Sequence, residues 1–370
     1  MGVRVFFIHF TTFLILFGVG TADVLARRHV ADSLVSKGDS LRYAYCFEES
    51  LKAYGEALAA LQDTTMIASD SLFSIEISDR ILLSENGKSM ADYVYTPKVV
   101  ARHKFSLEDF FLYYPLCDST WRPVPNVLDT LGGPYSRAMY VPSGARTIFF
   151  SAPDQNGIRN IYTTSYADSL WSVPALLNEE MTSVSDEIYP MLSQDGKSLY
   201  FASKGLYGVG GFDLYISQWD EESGDWSAPV NMGFPYSSPS NDFLLVESAD
   251  GRYLTFASDR ECSADSVNVY VIEQESVPVR SAVSESEELR RLSRLEPDSV
   301  IEDITAGEDV KSDIPENVDT RRYMDKMAQV RAIRDSLSAY EESIAHLREK
   351  YATEDSSDKK LKLAEQIISA

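Results

Sequence analysis

Cysteine, histidine and positive charge are scarce in this chain of 370 residues. Its three cysteines, Cys46, Cys117 and Cys262, have no spacing that frames a disulfide-stapled fold, so one bridge or three ordinary buried thiols both fit. Of the four histidines, His9 lies in an apolar N-terminal run, and His29, His103 and His346 are scattered. No His-Glu-x-x-His, Cys-x-x-Cys or Gly-x-Ser-x-Gly occurs, which removes the usual zinc and serine-hydrolase arrangements. His103 is the one histidine in the β-rich part, where a hydrogen-bonded strand histidine is a simpler reading than a catalytic base. Lysine and arginine total 34 against 57 acidic residues, a formal charge of −23. Such a surface repels phosphate backbones and anionic lipid, so nucleic acid is not an expected partner.

Long apolar runs are also missing, apart from Val5 to Val19 behind Arg4. With small residues at Gly20-Thr21-Ala22 and again at Ala26, this has the layout of a secretory signal peptide over residues 1–26, cleaved after Ala22 or Ala26. The run is shorter than the roughly 20 residues of a spanning helix, so no membrane span is expected after cleavage; an uncleaved anchor is the alternative. No cysteine lies near the cleavage region, so a lipid anchor is not expected.

What the chain has in abundance is repetition. Leu192-Ser193-Gln194-Asp195-Gly196-Lys197-Ser198-Leu199-Tyr200-Phe201-Ala202-Ser203 is echoed upstream around Ser143-Gly144 and Thr147–Ala152, and downstream around Asp250-Gly251 and Tyr253–Ser258. A second apolar run follows each copy in phase: Asn160-Ile161-Tyr162, Asp213-Leu214-Tyr215 and Asn268-Val269-Tyr270. Trp171-Ser172-Val173-Pro174 and Trp226-Ser227-Ala228-Pro229 add a third element to the first two copies. Short aromatic and aliphatic runs bounded by Gly, Ser, Asp and Pro mark strands, and Asp-Gly suits a tight hairpin because glycine accepts positive φ. A period of about 50 residues with about four short strands per copy is the signature of a β-propeller blade.

The series Asp-Gly-Lys-x-Leu-Tyr-Phe-Ala-Ser, Gly-Gly-x-Asp-Leu-Tyr and Trp-Ser-x-Pro resembles the TolB-type, WD-like propeller repeat of bacterial envelope proteins, best over residues 186–273. The copy from Pro134 to Pro174 departs from it, with Ser143-Gly144 for Asp-Gly and no Gly-Gly before Asn160. Residues 27–90 read as helical. Leu34, Gly38, Leu41, Phe47, Ser50, Tyr54 and Ala57 fall where a tetratricopeptide repeat places its packing positions, with Gly38 and Ser50 allowing close helix approach. A further helix from about Ser69 to Leu83 would cover that unit, with Gly87 as a left-handed C-cap; because Leu83–Ser89 echoes Leu192–Ser198, the decayed start of another blade is the alternative there. The expected architecture is mainly β: a propeller of about four blades over residues 91–273, preceded by this tetratricopeptide-like cap.

Tyr93–Phe105 reads as a strand broken at Pro97, and Asp109–Tyr113 with Trp121-Arg122-Pro123 as the later half of a blade. The last copy stops after Ile272, so the two half-complete ends suit ring closure by shared strands, an incomplete open propeller being the alternative. Residues 274–320 read as a disordered acidic linker, with at most a short helix over Glu285–Leu295. In residues 321–370, Val330, Ile333, Leu337, Tyr340, Ile344, Leu347 and Tyr351 follow heptad steps that suit a coiled coil and self-association.

No residue carries a catalytic, cofactor or metal assignment. The loop Gly205–Asp213 joins two strands and has no lysine after its glycines, so it reads as a blade loop and not a phosphate cradle. Asp154-Gln155-Asn156-Gly157 reads as a turn and not a calcium loop. Asp186, Glu187, Asp242 and Asp259 could converge at a propeller mouth. The candidate partner-binding residues are Tyr207, Phe212, Asp213, Tyr236, Asp242, Asp259 and Arg260. The resemblance implies a non-catalytic scaffold of the cell envelope, periplasmic or outer-membrane associated, whose partners are envelope proteins. A glycan-binding or glycan-acting propeller, with Tyr207, Phe212, Trp219 and Tyr236 for stacking, and a structural oligomer built on the C-terminal helix are the alternatives.

Overall fold

In the computed structural model the described residues are 26–62, 68–108, 110–114, 121–122, 139–140, 146–167, 170–274 and 278–297, with isolated helical positions at Leu347, Lys350, Tyr351, Lys359, Lys360 and Lys362. The signal segment before residue 26, Cys117, the Ser143-Gly144 turn and nearly all of the heptad region lie outside them.

Three helices come first among the described residues: α1 (26–43), α2 (Phe47–Gln62) and α3 (Ala68–Met90). Among the described residues no helix is long and apolar enough to cross a membrane. The small residues act at crossings. A Cβ on Gly38 would lie 2.4 Å from the Tyr54 ring, so α1 and α2 meet at the closeness the spacing implies. Ser50 is buried and turns towards the third helix, donating to Phe47 O at 2.8 Å and hydrogen bonding with Ser84 Oγ at 2.9 Å. Ala31, Val35, Tyr54, Ala57, Leu61, Phe73 and Ile77 form the interior of this layer. One expectation fails here: α3 does not end on Gly87. It continues to Met90, and Gly87 is a contact residue whose added Cβ would lie 2.4 Å from the Phe47 ring.

The rest of the body is antiparallel sheet. A short turn of 3-10 helix (Ala91–Tyr93) leads to β1 (Val94–Tyr95) and, past Pro97, to β2 (Lys98–Ser106). Asp109–Tyr113, expected as strand, is another correction: Phe110–Tyr113 is a 3-10 helix. Phe110 is fully buried and meets Tyr114, Tyr189 and Phe243 edge to face, so its ring plugs a core and the segment does not extend a ladder. β3 (Trp121–Arg122) pairs with β4 (Met139–Tyr140).

Three larger sheets follow the sequence repeats. β5 (Thr147–Pro153) pairs with β6 (Arg159–Ala167), which also pairs with β7 (Leu170–Trp171) and β8 (Ala175–Leu176). β9 (Glu187–Leu192), β10 (Ser198–Ser203) and β11 (Asp213–Asp220) stand side by side, and β12 (Asp225–Trp226) and β13 (Val230–Asn231) both pair with β11. β14 (Asp242–Glu247), β15 (Tyr253–Ser258) and β16 (Ser266–Glu273) repeat that order, and β2 completes the sheet by pairing along β16 from Ser266↔Ser106 to Glu273↔Lys98. The last repeat, which lacks its own fourth element, therefore takes a strand from the start of the β region. A fourth such sheet is not present among the described residues.

The repeats agree in detail. Gly196 and Gly251 have φ of +72° and +66°, and each turn is tied by a serine and an aspartate: Ser193 and Ser248 donate to Asp195 and Asp250 at 2.6 and 2.7 Å. β9 and β14 carry the same bulge, with Tyr189 and Leu244 at positive φ.

In the segment read as linker, residues 278–297 are among those described and carry structure. β17 (Arg280–Ser281) pairs with β1, and α4 (Ser286–Ser293) buries Leu289 and Ser293. α4 falls within the short helix expected over Glu285–Leu295; composition misses its docking, because Leu289 joins a cluster with Tyr45, Phe47, Met90, Val94, Val209 and Phe234 that already exists between the helices and the sheets.

Candidate interaction site at the junction of helices and sheets

The glycine-rich loop between β10 and β11 is where helices and sheets meet. Its backbone amides are already occupied: Val209 N and Gly210 N donate to Asp213 Oδ2 at 2.9 and 3.0 Å. A phosphate would need those same donors, so an internal carboxylate sits where an external anion would. The glycines are steric necessities. A Cβ on Gly210 would meet the carbonyl oxygens of Ser238 and Ser240 at 2.2 Å, and one on Gly208 would meet Asp213 Oδ2 at 2.3 Å. The helices grip the outside of this loop. Arg42 of α1 donates to Val209 O at 2.9 Å, and Asn86 of α3 donates to Gly208 O at 2.8 Å. Phe47 stacks on Phe234 beside them, with ring centroids 5.9 Å apart.

Two adjacent sheets bury an acid at the same position. Glu187 begins β9 and accepts from Ser183 Oγ at 2.6 Å and Ser203 Oγ at 2.9 Å. Asp242 begins β14 and accepts from Ser238 Oγ at 2.7 Å, and it also pairs with the Arg260 guanidinium. Arg260 spends its other donors on Ser258 Oγ at 2.9 Å, Pro235 O at 2.9 Å, Ser293 O at 2.8 Å and Tyr236 O at 3.2 Å. Ser293 O is one of the carbonyls that a helix end leaves unpaired, so Arg260 fastens α4 to the last sheet. Burial pushes the Glu187 carboxyl up to about 7, with the two serine hydroxyls opposing. Burial, then the neighbouring Asp242 charge, pushes Asp213 up to about 8 against the pull of the loop amides. Burial also raises Asp242, opposed chiefly by Arg260.

The seven candidate binding residues do not form one surface. Tyr207 is 53% exposed, and Asp259 is partly exposed but engaged with Asn241 through Oδ1 and Oδ2 at 2.8 and 2.6 Å. Phe212, Asp213, Tyr236, Asp242 and Arg260 are buried, the two aromatics in the main core. Of the other proposed stacking groups, Trp219 is 41% exposed and lies edge-on to Trp226. Glu187 and Asp242 are each enclosed within their own sheet and do not line an open mouth. His103 is exposed on β2. Asp154 accepts from Asn156 N and Ile158 N at 2.8 and 2.9 Å, the turn expected there. Cys46 and Cys262 are free thiols, and no group of acidic, histidine or cysteine side chains able to hold a metal occurs among the described residues.

Two residues stitch neighbouring sheets, Asp186, which the sequence offers only as a mouth acid, and Asn241, which it does not single out. Asp186 Oδ1 accepts from Arg159 N at 3.0 Å, and Asn241 Oδ1 accepts from Phe212 N at 3.0 Å. Both stand just before the buried acid of one sheet and reach the residue just before Asn160 or Asp213 in the preceding sheet. Alignment of the repeats on Glu187 and Asp242 would have exposed them. Not every apolar residue of α3 faces the helical layer: Leu72 (65%), Ile75 (58%) and Leu82 (55%) are exposed. Comparison of the chain with protein-family models and with curated proteins finds no match.

Proposed function

We propose that this protein is a non-catalytic interaction scaffold of the bacterial cell envelope, exported to the periplasm or held at the outer membrane. In this reading the repeated sheets are blades of a TolB-type propeller, the β2–β16 pairing is the shared-strand closure, and the helices are a tetratricopeptide-like cap. Support for the helical cap comes from Gly38 and Tyr54 at the α1–α2 crossing and from the grip of Arg42 and Asn86 on the glycine loop. The buried ionisable groups support a binding role over chemistry, because Glu187, Asp213, Asp242 and Arg260 are engaged within the fold.

One observation carries the proposal. Leu72, Ile75 and Leu82 share a side of α3 opposite its buried Phe73, Ile77 and Ser84, so this helix presents apolar surface that a partner would cover. The experiment is affinity capture from intact envelopes after mild crosslinking. It compares the full chain, a chain ending at Pro297, and a Leu72→Ser, Ile75→Ser, Leu82→Ser variant. The scaffold reading expects one defined protein retained by the first two and lost by the third. Capture of glycan with no protein would favour the glycan-binding alternative. Capture of the chain's own copies alone, lost on truncation at Pro297, would favour the structural oligomer.

A further inference from the structure

Beside the Arg260 cluster lies an open cavity of about 180 Å³, bounded by Tyr43, Tyr45, Arg260, Glu261, Arg290 and Arg294 among others. Three arginines to one glutamate is an inversion of charge in a chain whose formal charge is −23. At physiological salt the field of distant acids is screened beyond about 8 Å, so groups inside the cavity respond chiefly to its own walls.

The arginines have different duties. Arg260 is consumed by the fold, as described above. Arg294 is bound to Glu261 at 3.2 Å, and Glu261 is also within 3.6 Å of Arg102. Arg290 stands one helical turn from Arg294 and is half-buried, and its guanidinium has no ion pair or hydrogen bond to any described residue. Ser293, also in the wall and 2% exposed, has a hydroxyl beside the Tyr45 phenol that lacks a hydrogen bond of good geometry. A guanidinium with no partner in the wall of a cavity, beside a second arginine and an aromatic rim, is complementary to an oxyanion.

We infer that this cavity binds a carboxylate side chain of an acidic peptide segment, held by the Arg290 fork and seated between Tyr43 and the end of α4. Carboxylate suits it better than phosphate because Glu261 remains in the wall, and a dianion meets that charge with twice the repulsion. Tyr43, 54% exposed at the rim with the Arg42 guanidinium 4.8 Å over its ring, gives the peptide an aromatic surface. The inference deepens the scaffold reading by giving the chemistry of one partner segment, at a place separate from the apolar side of α3.

The test titrates the full-length protein into a fluorescent peptide of glutamate, glycine and serine, followed by anisotropy at physiological salt. The same peptide with glutamine for glutamate and inorganic phosphate are parallel probes. Binding of the glutamate peptide, weakened about tenfold or more by Arg290→Ala and unchanged by Arg291→Ala, is the expected result, because a bond to a charged group is being removed. Arg291 is a fair control, since it is engaged by Glu288 at 2.7 Å and does not line the cavity. Equal binding of the glutamine peptide, full affinity in Arg290→Ala, or displacement by phosphate as readily as by free glutamate peptide would each overturn the assignment. A protein partner captured equally by wild type and Arg290→Ala, with no peptide binding, would sink the cavity and leave the scaffold standing.

Discussion

Replacing Gly38, Gly55 or Gly87 with alanine is the same local change, yet the structure assigns the three variants different signs. Each glycine lies inside a helix, where alanine is favoured by about 0.8–1 kcal/mol. Gly55 is exposed, and a Cβ there meets nothing within 4 Å, so Gly55→Ala should realise the whole gain of about 1 kcal/mol. At Gly38 the new Cβ would lie 2.4, 2.7 and 2.9 Å from three carbons of the Tyr54 ring. That ring cannot step aside: it is fully buried, and its hydroxyl donates to Asp39 at 2.7 Å, which also holds Arg80 at 3.2 Å. At Gly87 the obstacle is the Phe47 ring, wedged against Phe234 and Tyr45. Overpacking of this kind costs about 1–3 kcal/mol, which offsets the propensity gain and leaves a net loss of up to about 2 kcal/mol at each site. Gly55→Ala should therefore stand about 1–3 kcal/mol above the other two variants. Urea unfolding followed by far-ultraviolet circular dichroism reads this directly, provided the slope with urea is unchanged. A parallel rise in all three variants would refute the close crossings of α1 with α2 and of α2 with α3.

Three other outcomes follow from the buried groups. Glu187 and Asp213 have folded-state values raised above the ordinary carboxylate range, so the folded chain holds protons that the unfolded chain has released. Stability should then fall as pH rises from about 4 towards 8, by up to about 1.4 kcal/mol per pH unit for each group while it alone differs between states. Asp213→Asn with Glu187→Gln should flatten that decline in urea midpoints; an unchanged decline would refute the assignment. Arg260→Met strands the Asp242 charge and three carbonyls and should cost about 3–5 kcal/mol, part of it recovered by adding Asp242→Asn. Phe110→Ala should cost about 3–5 kcal/mol in the same assay, because the ring is fully enclosed by Tyr114, Tyr189 and Phe243. A cost near zero would mean that the 3-10 segment is not a core plug.

Legibility in the sequence divides along a physical line. Asp195-Gly196 and Asp250-Gly251 announce their hairpins because the turn is made by those residues alone, through glycine φ and a local serine and aspartate. The strand runs around Phe201 and Phe256 are readable for a similar reason, since a short aromatic and aliphatic run bounded by turn residues is a local signal. Gly87 was misread because a helix-ending glycine and a glycine under a neighbouring ring look the same in one dimension. Phe110–Tyr113 was misread because an aromatic run says that it will be buried and not in what backbone form. The same limit applies at the site. Asp213, Asp242 and Arg260 stand out as charged loop residues, and only their burial and partners show that the fold uses them internally.

The buried acids show how equal backbones diverge in chemistry. Gly205 and Arg260 occupy the same place, two residues beyond Ser203 and Ser258 in the matching strands. In the middle sheet no side chain fits there, since a Cβ on Gly205 would lie 2.0 Å from Ser183 Oγ, and Glu187 is left with hydroxyl partners and a raised affinity for its proton. In the last sheet that space holds the guanidinium, which neutralises Asp242 and still reaches Ser293 O. The difference matches what lies outside each sheet. The last sheet must hold α4, and a cation with several donors can satisfy a buried carboxylate and a helix end together. The middle sheet faces the glycine loop and the helices, where Asp213 orders the backbone that Arg42 and Asn86 grip. Each substitution within the repeat therefore follows from the element docked against it, and the charged cavity beside Arg260 arises only where α4 brings Arg290 and Arg294 to the sheet.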